Sequence, residues 1–251
     1  MKKETFIIST IILIVGGFVT KALGMLIKMV MSRLMGSEGI GLYMLVLPTF
    51  SLLIGLGQFG LPIALSKLVA EDKKNNRNLI FSLLPISFAI NIIIIAFVII
   101  LGPTLAVNFL HEERAILPIL AMSVVLPLTS CSGLLRSYFF GKEKMLPHVV
   151  SNCLEDVVRL LLIIILVPLF LPKGIEITVT IIILTNIISE LSSILVLFFF
   201  LPKHLNIKKE DLSFNKTYAK EAMHISIPNT ASRLVGSLGY FLEPIILTTT
   251  L

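Results

Sequence analysis

Residues 5–41 form one long apolar run with two lysines in its middle. An apolar stretch of about 18 residues or more can cross a bilayer as a helix, so this run fixes the class of everything that follows. Lys21 and Lys28 are its anomaly. At 3.6 residues per turn, Thr10, Gly17, Lys21, Gly24, Lys28 and Ser32 fall within roughly 60° of one another. The other faces carry Ile, Leu, Val, Phe and Met. The expected element is a membrane helix with one narrow cationic stripe, notched by glycine. A charge at bilayer depth costs about 2.5–3.5 kcal/mol on insertion scales and usually faces a bundle interior or a water-filled cavity. Lys28 is close enough to the end of the run for its stem to snorkel towards headgroups. Lys21 sits near the centre, beyond that reach, and is assigned to a cavity.

Composition agrees. Of the 251 residues 56% are hydrophobic and 14% charged, where a soluble domain carries about 25% charged residues. The formal net charge of +6 does not point to nucleic acid, because the basic residues cluster at alternate ends of apolar spans. Cys131 and Cys153 lie in apolar segments without a CxxC, so neither a disulfide framework nor a zinc site is expected. There is no GxxxxGK[ST] loop and no His/Cys/Asp metal spacing, so no cofactor, metal or enzymatic activity is expected. The N-terminus begins like a signal peptide. Its apolar run, however, continues past an h-region of about 7–15 residues and meets no small-residue cleavage site, so it reads as a retained first span.

Seven spans are expected, at 5–35, 40–69, 79–110, 116–140, 146–171 and 175–201, with a seventh opening near Ala219. The second carries Pro48, Gly55, Gly57, Gly60 and Pro62, which predicts a bent or locally unwound helix with hinge glycines. With the N-terminus inside, inner loops hold Lys2, Lys3, Lys73, Lys74, Arg77, Lys142, Lys144, Lys203, Lys208, Lys209, Lys216 and Lys220. Outer loops hold only Arg33, Arg114 and Lys173, so twelve against three predicts a cytoplasmic N-terminus in a multi-pass cell-membrane protein.

Three later spans carry polar stripes. In the fifth, Asn152, Glu155 and Arg159 share a face beside Asp156. Glu155 and Arg159 are spaced to pair at i,i+4, or to serve a substrate or coupling ion. Both readings stand. In the sixth, Asn186, Glu190 and Ser193 align, and Glu190 has no partner within its own helix. In the seventh, Asn229, Arg233, Gly236, Tyr240 and Glu243 align. Arg136, near the inner end of the fourth span, is expected to snorkel. Thr20-Lys21-Ala22-Leu23-Gly24 parallels Ser232-Arg233-Leu234-Val235-Gly236 as hydroxyl, cation, two apolar residues and glycine. Both helices run outward, which predicts a parallel repeat. The fold expected is therefore all-α and polytopic: a six-helix lobe at 1–202, a basic cytoplasmic linker at 203–218, and the first helix of a second lobe at 219–251.

Five segments carry a family resemblance: GSEGIGLYMLVLPTF at 36–50, QFGLPIALSKLVAE at 58–71, LLRSYFFGKEKMLPH at 134–148, LEDVVR at 154–159 and SIPNTASRLVGSLGYFLEPI at 226–245. The chain resembles the polysaccharide-exporter branch of the multidrug/oligosaccharidyl-lipid/polysaccharide exporter superfamily. That resemblance implies two six-helix lobes and a substrate of undecaprenyl-pyrophosphate-linked sugar, of lipid II type, destined for spore cortex peptidoglycan. Lipid II flippases of the related branch carry cavity cations in the first helix; Lys21 matches one such position and Lys28 lies one residue from another. They also carry a second-helix arginine, where this chain has Ser51, Leu52 and Leu53.

A cavity cation suits a diphosphate, and lysine, as a point charge, suits a headgroup that must be released again. Lys21, Lys28, Arg233 and Asn229 are the substrate-binding candidates. Asn152, Glu155, Arg159, Glu190 and Glu243 are coupling or structural candidates, and Gly24 joins the hinge set. The partners expected are the polyprenyl-pyrophosphate-linked substrate, the bilayer and enzymes of cell-wall synthesis. Two alternatives remain: a cation or drug antiporter using Glu190 and Glu243, and a scaffold that recruits cell-wall enzymes without transport.

Overall fold

The computed structural model describes residues 3–71, 76–201 and 215–250. Every regular element among them is helical: α1 (Lys3–Gln58), α2 (Leu61–Glu71), α3 (Asn76–Thr104), α4 (Ile116–Gly141), α5 (Met145–Phe170), α6 (Ile175–Phe200) and α7 (Lys216–Thr250). A π turn at Leu105–Phe109 and short 3-10 turns at Glu113–Ala115 and Leu171–Lys173 complete the connections. Four stretches, Ile7–Gln58, Asn78–Phe109, Glu113–Gly141 and Ile175–Phe200, are long and apolar enough to cross a membrane. Helix α5 has the same length as α4 but carries Glu155, Asp156 and Arg159.

The first two expected spans are joined without a loop. At 1.5 Å per residue the 56 residues of α1 measure about 84 Å, against a hydrocarbon core of about 30 Å. Gly36 resolves the excess. Its φ of 70° and ψ of −170° break the helix into two arms, each long enough for one crossing; a side chain at such angles is strained. The second span is also not one bent helix. It stops at Gln58, turns through Phe59 and Gly60 at positive φ, and restarts as α2. The Phe59 amide is caught by the carbonyls of Gly55 and Leu56, and Gly60 O accepts from Ile63 and Ala64. Gly55, Gly57 and Pro62 lie within regular turns on either side.

Close backbone approach holds the helices together, as in membrane proteins where small residues admit neighbours. A Cβ at Gly16 would lie 2.4 Å from Val149 on α5, and one at Gly141 would lie 2.5 Å from Ser66 O on α2. Three apolar clusters fill the bundle, one of them joining α1 to α5 and α6 through Met31, Met35, Ile163 and Ile182. Two flank its middle. One gathers Leu42, Val46, Leu110, Ile119, Met122 and Ile183 near the α3–α4 turn. The other gathers Leu61, Leu65, Leu79, Leu83, Phe139 and Leu197 near the α4–α5 turn. Between them lies a hydrogen-bonded seam. Asn91 on α3, 1% exposed, donates to Gly57 O at 3.2 Å, Ser87 O at 2.8 Å and Ser130 Oγ at 3.1 Å. Its side chain stands where a Cβ on Gly57 would be, 2.9 Å away.

Helix α7 docks on this body. Asn215 Oδ1 accepts from Thr217 N at 2.9 Å, capping the helix start, and Asn215 N donates to Ser82 Oγ on α3 at 3.0 Å. A Cβ at Gly60 would lie 2.8 Å from Ser226 O, so α7 presses its backbone against the α1–α2 break. Most of the linker expected at 203–218 lies outside the described residues.

On the other side of the bundle, Arg114 ties the α3–α4 turn to α1. Its Nη1 donates to Glu38 Oε1 at 2.5 Å and its Nε to Glu112 Oε1 at 2.8 Å. The Arg114 hydrogen bonds hold the Glu112 carboxyl below its ordinary value of 4.5. A depressed acid contributes stability that is present above the unfolded value and lost as pH falls through the folded one. Protection of amides 110–116, taken relative to the intrinsic exchange rate at each pH, is therefore expected to be steady at neutral pH and to fall only below about 4.5. In Arg114→Gln that fall should be largely absent and the protection lower already at neutral pH; an identical profile would remove the arginine from the account.

Candidate functional site

Two sets of charges occupy the membrane depth of this fold. The first is buried between α4, α5 and α6, with Arg136 as its hub. Arg136 Nη2 donates to Glu155 Oε2 on α5, to Glu190 Oε2 on α6 at 3.2 Å and to Ser193 Oγ at 2.7 Å. Arg159 Nη2 donates to Glu155 Oε1 at 2.5 Å, and its Nη1 lies 3.6 Å from Asp156 Oδ1. Glu155 and Glu190 are 7% and 5% exposed.

This corrects the expectation that Arg136 snorkels. It sits five residues from the end of α4, about 8 Å in depth, while Glu155 and Glu190 lie ten residues, about 15 Å, from the same end of their helices. The length that would carry a guanidinium outward carries it inward instead, because two buried carboxylates wait there. Arg136 also supplies Glu190 with the partner that its own helix lacks. The i,i+4 bond between Glu155 and Arg159 forms, but as one edge of a five-member cluster. Asn152 lies one turn away and contacts His148, Nδ2 to Nε2 at 3.4 Å. Had the unpaired Glu190 been matched against cations on neighbouring spans, Arg136 would have been the candidate at the right depth.

The second set is uncovered. Helix α1 buries Gly16, Ile27, Met31 and Met35 against α5 and α6, and leaves Lys21, Lys28 and Ser32 exposed on the opposite side. A Cβ at Gly17 or Gly24 would meet nothing within 4 Å. Neither lysine has a hydrogen bond or ion pair among the described residues. On α7, Arg233 is exposed, with Nη1 3.4 Å from Gln58 Oε1 at the α1–α2 break. Gly236 beside it also faces open space, and Glu243 is exposed. Asn229 is half-buried, its Nδ2 donated to Ile225 O at 2.8 Å. Gln58 had no place in the sequence reading; its contact with α7 depends on a break that periodicity does not show.

Residues 7–251 match the family described as polysaccharide biosynthesis protein. The chain belongs to that family. It is 38% identical over 261 residues to stage V sporulation protein B of Bacillus subtilis (strain 168), covering all of this chain and 50% of that protein. It is 23% identical over 165 residues to the lipid II flippase MurJ of the same organism, covering 61% of this chain and 30% of that one. A MOP superfamily transporter from Pyrococcus furiosus superposes with a TM-score of 0.72 at 17% identity, over 96% of this chain and 54% of its own. The chain thus spans about half the length of the sporulation protein and of the solved transporter. The fold is that of a MOP superfamily transporter, in a multi-pass membrane protein one of whose relatives is named a lipid II flippase.

Proposed function

We propose that this family member is a flippase moving undecaprenyl-pyrophosphate-linked oligosaccharide of lipid II type, for the peptidoglycan of the spore cortex. The observation that carries the reading is the bare stripe of Lys21 and Lys28, within the apolar run and without a partner among the described residues. A lysine in hydrocarbon is costly; a substrate diphosphate would offset that cost through charge-assisted hydrogen bonds. Gly17 and Gly24 leave room beside the ammonium groups for such a ligand. The name of the lipid II flippase supports this substrate class, and that of the sporulation protein supports the spore setting. Enzymes of cell-wall synthesis that consume the flipped lipid are the proposed partners.

The direct test is reconstitution in liposomes with fluorescent lipid II, scoring its appearance in the opposite leaflet. Appearance that depends on the protein is expected. Its absence, with exchange of a cationic drug instead, would favour the antiporter.

The direction of transport requires a cytoplasmic N-terminus, supported by the bias of basic loop residues. Single cysteines near Asn76, Lys142 and Lys209 are expected to react with an impermeant maleimide only from the cytoplasmic side. Those near Gly39 and Glu113 should react only from outside. Labelling of position 209 from outside would break the seven-span arrangement.

A further inference from the structure

The cluster around Arg136 is not electrically balanced. Arg136 and Arg159 bring two positive charges, and Glu155, Asp156 and Glu190 bring three negative ones. Asp156 and Arg159 are half-buried, but Glu155 and Glu190 are buried, and an uncompensated charge in low dielectric is strongly disfavoured, so the site favours a further partner of charge +1.

The free ligands decide what it is. Both Glu155 oxygens are occupied by guanidinium groups, and Asp156 leans on Arg159. Glu190 is held least: Oε2 shares Arg136 Nη2 with Glu155 and Ser193, and the Ser132 hydroxyl lies against the carboxylate. One carboxylate oxygen and one hydroxyl are too few for a metal ion, which needs several oxygen ligands. No group of three metal-ligating His, Cys, Asp or Glu side chains occurs among the described residues. A proton needs only the one oxygen.

A route to it exists. Arg136, Ser137 and His148 line a crevice of about 270 Å³ between α2, α4 and α5, so Arg136 touches both that space and Glu190. The buried Arg136 Nε and His148 Nδ1 have no hydrogen-bond partner among the described residues. Ser66 and Phe140 of this crevice also line a second space of about 450 Å³, beside Ser9, Lys67 and Glu143. That is the end of the bundle assigned to the cytoplasm.

We infer that Glu190 is an exchangeable proton site, served from the cytoplasmic side through the Arg136–His148 crevice, and that its proton is the coupling ion of the proposed flippase. The inference rests on that proposed function for the word coupling alone. Protonation forms an O–H bond on Glu190 and brings the cluster to neutrality. Arg136 then holds only Glu155 and Ser193, and the ionic tie between α4 and α6 is released. Loss of the proton restores it. The groups acting on Glu190 are Arg136 and Cys131 from α4, and Glu155 and Arg159 from α5, with Asp156 and His148 one contact further out.

The test is infrared titration of the protein in liposomes, followed by transport under an imposed pH difference. A neutral-carboxyl C=O band that titrates reversibly is expected in the wild type. Glu190→Gln should abolish it, and Glu176→Gln, at the far end of the same helix, should keep it. A band that is absent in the wild type, persists in Glu190→Gln, or vanishes on adding sodium at constant pH overturns the site. In the second arm, a pH difference should change the wild-type rate several-fold and leave the Glu190→Gln rate unchanged. Equal responses overturn the coupling. Should the wild type move no lipid-linked sugar at all, the proposed function falls while the infrared result still judges the proton site.

Discussion

Arg136→Met is expected to be among the most destabilising single substitutions in the membrane interior. It would leave Glu155 and Glu190 facing one another in low dielectric with one shared cation removed. Breaking a buried ion pair from one side costs about 3–5 kcal/mol. The double variant Arg136→Met/Glu190→Gln removes one charge of each sign and should recover much of that loss. Thermal unfolding in detergent, followed by the fluorescence of a thiol dye at Cys131 and Cys153, separates the three proteins. If the double variant melts no higher than the single, the hub assignment is wrong. The same logic alters what pairing means for Glu155 and Arg159. Replacing those two by Gln and Met preserves the net charge, yet it also takes from Arg136 one of its two carboxylates, so full recovery is not expected.

Lys21→Gln and Arg233→Gln are each expected to abolish transport while leaving membrane expression near the wild-type level. Both side chains are exposed, lie beside a glycine with open space, and belong to the repeated hydroxyl–cation–x–x–Gly pattern. A parallel repeat would relate them by a twofold axis and set them on facing walls of a shared cavity. One diphosphate held between two such walls accounts for the need for both. Lys21→Arg should retain partial activity, since the charge stays and the hydrogen-bond geometry changes. Leaflet-resolved transport of fluorescent lipid II reads the effect. A neutral double variant that still moves substrate would end the electrostatic role.

Helices whose signal is local were placed correctly from the sequence. The spans at 116–140, 146–171 and 175–201 fall within a residue of α4, α5 and α6, because apolar length and flanking charges mark both ends. The junction at Gly36 was not legible as a kink, since polar Ser37 and Glu38 beside two further glycines look like an ordinary loop. Whether the chain loops out or bends in place depends on packing of Ile40 and Tyr43 against Met31 and Met35. The stripe of Lys21 and Lys28 was readable because one helix carries it whole. The Arg136 hub was not, because its three main partners sit on α5 and α6 and no single periodicity joins them. What sequence supplied there was a carboxylate on Glu190 with no partner in its own helix; pairing it with Arg136 takes a comparison between spans.

The contact between Gly60 and Ser226 also sets an order of events during synthesis. These residues are 166 positions apart (226 − 60), and a ribosome adds about 5–20 residues per second. For a time on the order of ten seconds, the notch at the α1–α2 break exists without the helix that fills it. Throughout that interval lipid, or a companion in the insertion machinery, must cover the notch. A pause placed in the message between these two codons would lengthen this exposed interval. Early helices should then become more susceptible to quality-control proteases, although every contact in the finished protein is unchanged.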